Sequence, residues 1–210
     1  MSVIIENLSF SYGAVKALDD INISVQTGES VGIAGTSGGG KSTLLKLVGG
    51  LYDAREGRIS VMGRYGSAER RSRVSMVMQN AALFPASIRD NITCGHEMPE
   101  DRIFAACEAA QLTEWIGSLP CGLETFVGER GGKVSGGQAH RIAIARAIAK
   151  DAEVVLLDEP TSALDEATGA SLMAALAELT VGKTVLHVSH RPEALAVCDR
   201  VMRLEGGRVC

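Results

Sequence analysis

Residues 35–42 read GTSGGGKS, and few stretches of eight residues restrict a fold so tightly. Glycines at the first and sixth places, followed by lysine and serine, make the pattern G-x-x-x-x-G-K-[ST]. Bare glycine backbone can turn successive N–H groups inward around phosphate oxygens, and a helix starting at once adds the positive end of its dipole. The device works only when a strand delivers the chain to the loop and a helix carries it away. Here the apolar run from Val31 to Ala34 leads in and KSTLLKLVGGL leads out. The predicted unit is strand, loop, helix, with ligand at the carboxyl end of the strand. Gly35, Thr36, Ser37, Gly38, Gly39, Gly40, Lys41, Ser42 and Thr43 are therefore assigned to a nucleoside triphosphate cradle. Lys41 is expected at the β- and γ-phosphates and the Ser42 hydroxyl on Mg²⁺.

The remainder of the chain fits this unit into a larger pattern. INISVQ, SVGIAG, GRISVM and RVSMVMQ make the first third strand-rich. From about Ile88 to Lys150 strand signals give way to helical ones in EDRIFAACEAAQ, LTEWIGSL and GQAHRIAIARAIAK. EVVLLD, GKTVLHVSH and DRVMRLEGG then return as strands, with the helix EATGASLMAALAEL between the first two. Strands alternating with helices predict a mostly parallel sheet. The expected architecture is one α/β domain over residues 1–210, a P-loop NTPase core with an N-terminal β-rich subdomain and an inserted helical subdomain near 88–150. A chain of 210 residues, 46% hydrophobic, is long enough to bury one real core.

Charge and cysteine content exclude several functions. With 25 acidic against 21 basic residues the net charge is −4, so no electrostatic footprint for nucleic acid is present and no such partner is expected. The basic cluster ERRSR, Glu69 to Arg73, reads as a solvated loop. Cys94, Cys107, Cys121, Cys198 and Cys210 form no Cys-x-x-Cys pair, which suggests neither a zinc knuckle nor a disulfide framework and fits a reducing cytosolic setting. The first residues lack the basic and apolar regions of a secretion signal. No run approaches the roughly 20 apolar residues of a membrane helix, so these residues by themselves are not expected to span a bilayer.

Three further stretches carry chemistry. VVLLDEP, Val154 to Pro160, is an apolar run of the kind a buried parallel strand needs, closed by two carboxylates. Asp158 is expected to hold Mg²⁺ and Glu159 to orient and deprotonate an attacking water. GGKVSGGQAHR, Gly131 to Arg141, places a second bare-backbone segment, Ser135 to Gln138, before a helix. The spacing His187-x-x-His190 invites a metal reading, but residues three apart in a strand face opposite sides, so His187 is expected inside and His190 at the strand's carboxyl end.

Taken together, the cradle, Ser135 to Gln138 and Val154 to Glu159 resemble the nucleotide-binding domain of ATP-binding cassette (ABC) transporters over nearly the whole chain. The tetrad is similar to that family's signature motif and is followed by the helical AHRIAIARA. The resemblance implies ATP and Mg²⁺ as cofactors and a second such domain paired head to tail. Each ATP would be held by one chain's cradle and by Ser135, Gly136, Gly137 and Gln138 of the other. It implies that Tyr12 stacks on adenine, that Gln79 touches Mg²⁺ and water, that His190 contacts the γ-phosphate, and that Asp165, in the SALD segment from Ser162, is the acid of a loop crossing the dimer interface. It also implies a transmembrane partner domain and a peripheral place on the cytoplasmic side of a membrane. LFPASIRDNI and FVGERGGKVSGGQ look like the exporter branch, so export is expected over import. Departures are Val134 in the signature where leucine is usual, Met78 before Gln79, a short link from VMGRYG to RVSMVMQ, and a last stretch LEGGRVC without further helices. Two other readings stand beside this one. One is a non-transport soluble ABC ATPase; the other is a P-loop kinase of a small metabolite, which would need an acceptor pocket but no signature tetrad.

Overall fold

The computed structural model describes residues 1–161 and 166–210. It divides into two compact units, the first formed by Met1–Met76, Ala152–Glu159 and Gly182–Cys210 and the second by Val77–Asp151 and Pro160–Val181.

In the first unit, β1 (Val3–Tyr12), β2 (Val15–Val25) and β4 (Glu56–Val61) make an antiparallel sheet in the order β2-β1-β4. The reading above does not include β1. Its apolar alternation changes phase partway, because Val3 and Ile5 point inward and the next inward residue is Leu8. Asn7 sits there with φ 48° and the pairing register shifts on both sides of the strand. A bulge of this kind breaks the period-two signal on which strand reading depends.

The larger sheet has the order β5-β6-β7-β3-β8-β9, from β3 (Ser30–Ala34), β5 (Val74–Val77), β6 (Val154–Asp158), β7 (Thr184–Val188), β8 (Arg200–Glu205) and β9 (Arg208–Val209). Pairs β6/β7, β7/β3 and β3/β8 are parallel, and only β8/β9 is antiparallel among the described pairs. Every residue of β6 and β7 is buried, which is why neither shows polar alternation: Val154 to Leu157 of β6 are all apolar, and β7 is apolar but for Thr184 and His187. Helix α1 (Lys41–Val48) leaves the loop after β3 and packs Leu44, Leu45, Leu47 and Val48 into the core shared by both sheets.

The ERRSR cluster is not a solvated loop. It belongs to α2 (Ser67–Arg73), and Arg70 is buried. The Arg70 guanidinium donates to the carbonyls of Tyr65 and of Leu47, the latter at 3.2 Å, and Arg71 donates to Gly50 O at 2.5 Å. Two cations thus meet carbonyls at the end of α1, the negative end of its dipole. Sequence charge counting misses this, because a carbonyl carries no formal charge.

The second unit holds α3 (Ile88–Thr93), α4 (Glu100–Ala109), α5 (Thr113–Ser118), α6 (Gly136–Lys150) and α7 (Glu166–Thr180). Between β5 and β6 the described elements are helices and short 3-10 turns only. Helix α6 buries Ile142, Ala143, Ile144, Ala145, Ala147 and Ala149 and packs on α3 and α4. In the first unit, a short α8 (Pro192–Ala196) opens with proline in its first turn, where no intrahelical donor is lost.

Candidate nucleotide site

The cradle is built by strain and by an open helix end. Gly35 has φ 143°, and a Cβ there would lie 2.0 Å from Leu204 O, so only glycine passes beneath the β8 backbone. Gly40, at φ 98°, precedes α1 with no side-chain cap. The first amides of α1 are therefore left for an external acceptor, the arrangement that binds anions at helix starts. Lys41 is buried, and its ammonium donates to Gly35 O at 2.9 Å and Thr36 O at 2.8 Å. Those two bonds hold the cation over the loop and use two of its three donors.

Beside it, Ser42 donates its hydroxyl to Asp158 Oδ1 at 3.0 Å. Asp158 closes β6 and is 5% exposed. Burial pushes its carboxyl above the usual carboxylate range, and the Ser42 hydrogen bond pulls in the other direction. A hydroxyl oxygen beside a buried carboxylate is a pair of hard oxygen donors that suits Mg²⁺, which takes oxygen ligands and would relieve the burial of negative charge.

Glu159, the next residue, has φ 47°, a conformation that non-glycine residues adopt only when their surroundings impose it. Its N–H donates to Val188 O at 3.0 Å, fixing it to the end of β7. His190 Nε2 lies 3.0 Å from Glu159 Oε1. His190 is exposed whereas His187, within β7, is buried, and burial lowers the His187 imidazole to about 4. At the end of β1, Tyr12 is 44% exposed, makes edge contacts with Phe10 and Tyr52, and has its hydroxyl 3.4 Å from Thr43 Oγ1. The first unit thus brings together Tyr12, the cradle, Asp158, Glu159 and His190.

Ser135 to Gln138 and Gln79 belong to the second unit. Ser135 caps α6 reciprocally: Gln138 N–H donates to Ser135 Oγ at 3.2 Å, and Ser135 N–H donates to Gln138 Oε1 at 2.8 Å. This is the capping box, and S-x-x-Q is its sequence form. Gly136 is exposed, its φ is outside the left-handed region, and an added Cβ would meet nothing within 4 Å. This chain's own packing gives no reason for glycine there. Gln79 lies two residues beyond β5, exposed, and its carbonyl oxygen is 2.8 Å from His140 Nε2. Asp165 and the SALD segment lie outside the described residues.

Sequence reasoning did not single out His140, Arg146 or Asn91. Arg146, on α6, donates to Asn91 O at 2.7 Å, Asn91 Oδ1 at 3.0 Å and Ala82 O at 3.1 Å, and lies over the Phe84 ring. A buried Asn and a polar residue on an otherwise apolar helical face are the available signals, but their partners are distant in sequence.

A glycine-rich loop opening a helix at the carboxyl edge of a parallel sheet, with serine and aspartate oxygens converging beside it, defines a P-loop nucleoside triphosphatase. Within that class the chain belongs to the ABC transporter family, whose model matches residues 18–162. It is the ATP-binding ATPase domain of that family, and it binds ATP. It is 41% identical over 211 residues to the ATP-dependent lipid A-core flippase of Burkholderia pseudomallei (strain 1710b), a match covering 97% of this chain and 35% of the relative. To a probable ABC transporter ATP-binding/permease protein of Haemophilus influenzae it is 38% identical over 210 residues, covering 98% of this chain and 38% of that one. Among solved structures, a bacterial Atm1-family ABC exporter with ATP bound superposes with TM-score 0.89 at 34% identity, over all of this chain and 38% of the other. The chain thus spans little more than a third of the length of these relatives.

Proposed function

We propose that this chain powers export across a membrane by hydrolysing ATP in a head-to-tail dimer, as the cytoplasmic domain of a transporter whose transmembrane part lies outside these residues. The observation that carries the dimer is Gly136: an outward-facing glycine, at a capped helix start, that its own fold does not require. Bare backbone there leaves room for another molecule's phosphate to approach the amides of α6. Names of the relatives, a flippase and an exporter, support outward transport.

Within this reading Tyr12 stacks on adenine, the amides of the cradle and Lys41 hold the β- and γ-phosphates, and Ser42, Asp158 and Gln79 hold Mg²⁺. The ion would shield phosphate charge and orient the terminal phosphoryl group. Glu159 accepts the proton of the attacking water, a role worth about 10²- to 10⁴-fold in rate. Its left-handed backbone and its bond to Val188 O keep the carboxylate at the sheet edge. His190, whose Nε2 lies 3.0 Å from that carboxylate, contacts the γ-phosphate in this reading. Ser135 to Gln138 close the partner's site, and Asp165 belongs to the interface. The exposed Phe84 and Phe126 provide apolar surface for the membrane-embedded part.

The test is complementation of two singly disabled proteins, Lys41→Ala and Ser135→Arg. Every site in either homodimer contains a dead cradle or a blocked tetrad. In a mixed dimer one site joins an intact Lys41 to an intact Ser135, so mixing equal amounts should restore up to about a quarter of the unsubstituted ATPase rate, given random pairing of a two-fold dimer. Normal hydrolysis by Ser135→Arg alone would refute action across the dimer.

A further inference from the structure

On α6, the helix that carries Ser135 at its start, His140 is only 6% exposed. Its ring lies between two backbone carbonyls, with Nδ1 3.0 Å from Gly136 O one turn below and Nε2 2.8 Å from Gln79 O. Carbonyls only accept and a neutral imidazole carries one N–H, so the ring donates to one of the two, and the shorter approach, Nε2 to Gln79 O, is taken as that bond. Gln79 O lies in the segment after β5, where no strand partner answers it in the described residues. Six residues further along α6, Arg146 takes the same segment at Ala82 and Asn91. One rigid helix therefore grips the stretch from Gln79 to Asn91 at two points, and the first point touches the turn that displays the tetrad.

We propose that His140 is a positioning residue that locks the Gln79 backbone to the first turn of α6, so that a displacement of either carries the other. The physical reason is stiffness. A buried ring anchored on α6 and bonded to Gln79 O at its tip is a short strut, and its loss would leave Gln79 O without that donor while each segment moved alone. The functional consequence rests on the roles proposed above for Gln79 and the tetrad: water and Mg²⁺ in one site would then be set in step with closure of the opposite one.

Two substitutions test this in the intact 210-residue chain. His140→Leu keeps apolar volume and removes both nitrogens, whereas His140→Gln keeps an amide with two N–H donors. For the leucine protein, amide hydrogen exchange should rise about tenfold both at residues 79–82 and at 135–138, and kcat should fall by a similar factor while KM for ATP stays within about twofold. Glutamine should recover most of both effects. Exchange that stays unchanged, or that rises in one segment only, overturns the strut, as does a glutamine protein as impaired as the leucine one. If the leucine protein does not fold, the unsubstituted chain decides: a His140 proton on Nε2 that exchanges slowly with water supports the bond to Gln79, and a proton on Nδ1 or a freely exchanging ring overturns it. A chain that shows no ATP-dependent self-association would refute the dimer, while the exchange data would still judge His140.

Discussion

Mild acid should destabilise this chain through one imidazole. His187 is 5% exposed in the centre of the parallel sheet, paired in register with Leu157 of β6 and Gly32 of β3. Burial alone lowers it from 6.5 to about 4. In the unfolded chain the ring regains its ordinary value, so between these two values the unfolded state binds the proton and the folded state does not. Stability from this group is thus fully present above about 6.5 and is lost as pH falls toward about 4. With one proton in play, the loss is roughly 2 kcal/mol at about pH 5 and approaches roughly 3 kcal/mol below about pH 4. Asp158 acts with the opposite sign. Its raised value favours the protonated folded form, so its contribution is present at low pH and lost as pH rises through that value. The assay must separate the two. Urea unfolding is measured across this pH range for the unsubstituted chain and for His187→Leu, and the difference between them is followed, since Asp158 contributes equally to both. That difference should shift by roughly 2 kcal/mol in favour of the leucine protein from about pH 7 to about pH 5. Parallel curves would refute the reasoning, because they would mean that the ring is protonated in the folded state as easily as in the unfolded one.

Glu159→Gln keeps the reach of the side chain but removes the base, so ATP turnover should fall by about 10²- to 10⁴-fold while ATP binding persists. In gel filtration the variant should run as a dimer with Mg-ATP and as a monomer without nucleotide; hydrolysis at the normal rate would place the base elsewhere. Gly35→Ala forces a Cβ toward Leu204 O at a φ that alanine avoids, and should cost at least about 1–3 kcal/mol in stability along with tight ATP binding. Unchanged melting together with unchanged calorimetric affinity would show that the loop geometry is otherwise.

Local chemistry, or an unbroken local pattern, is what the amino-acid order determined by itself. The cradle is one continuous segment between a strand and a helix, and its glycines are demanded by backbone geometry within a few residues, so residues 35–42 announce both the fold class and the ligand type. The apolar run of β6, Val154 to Leu157, was equally plain, because a strand buried on both faces writes itself as near-continuous hydrophobicity. Even the start of α6 was visible, since S-x-x-Q satisfies its own helix.

What only the tertiary structure decided are partnerships between residues far apart in the chain. The bulge at Asn7 hid β1, because alternation fails wherever a strand carries an extra residue. ERRSR looked like solvated charge until Arg70 and Arg71 were seen to donate to carbonyls at the end of α1. The 3.0 Å approach of Ser42 to Asp158 spans 116 positions, and the bond from His140 to Gln79 O spans 61. Backbone carbonyls are the same at every residue, so no amino-acid letter records which of them a buried histidine or arginine will find. That choice belongs to the packing, which sets which carbonyls remain unanswered and which side chains are held near enough to answer them.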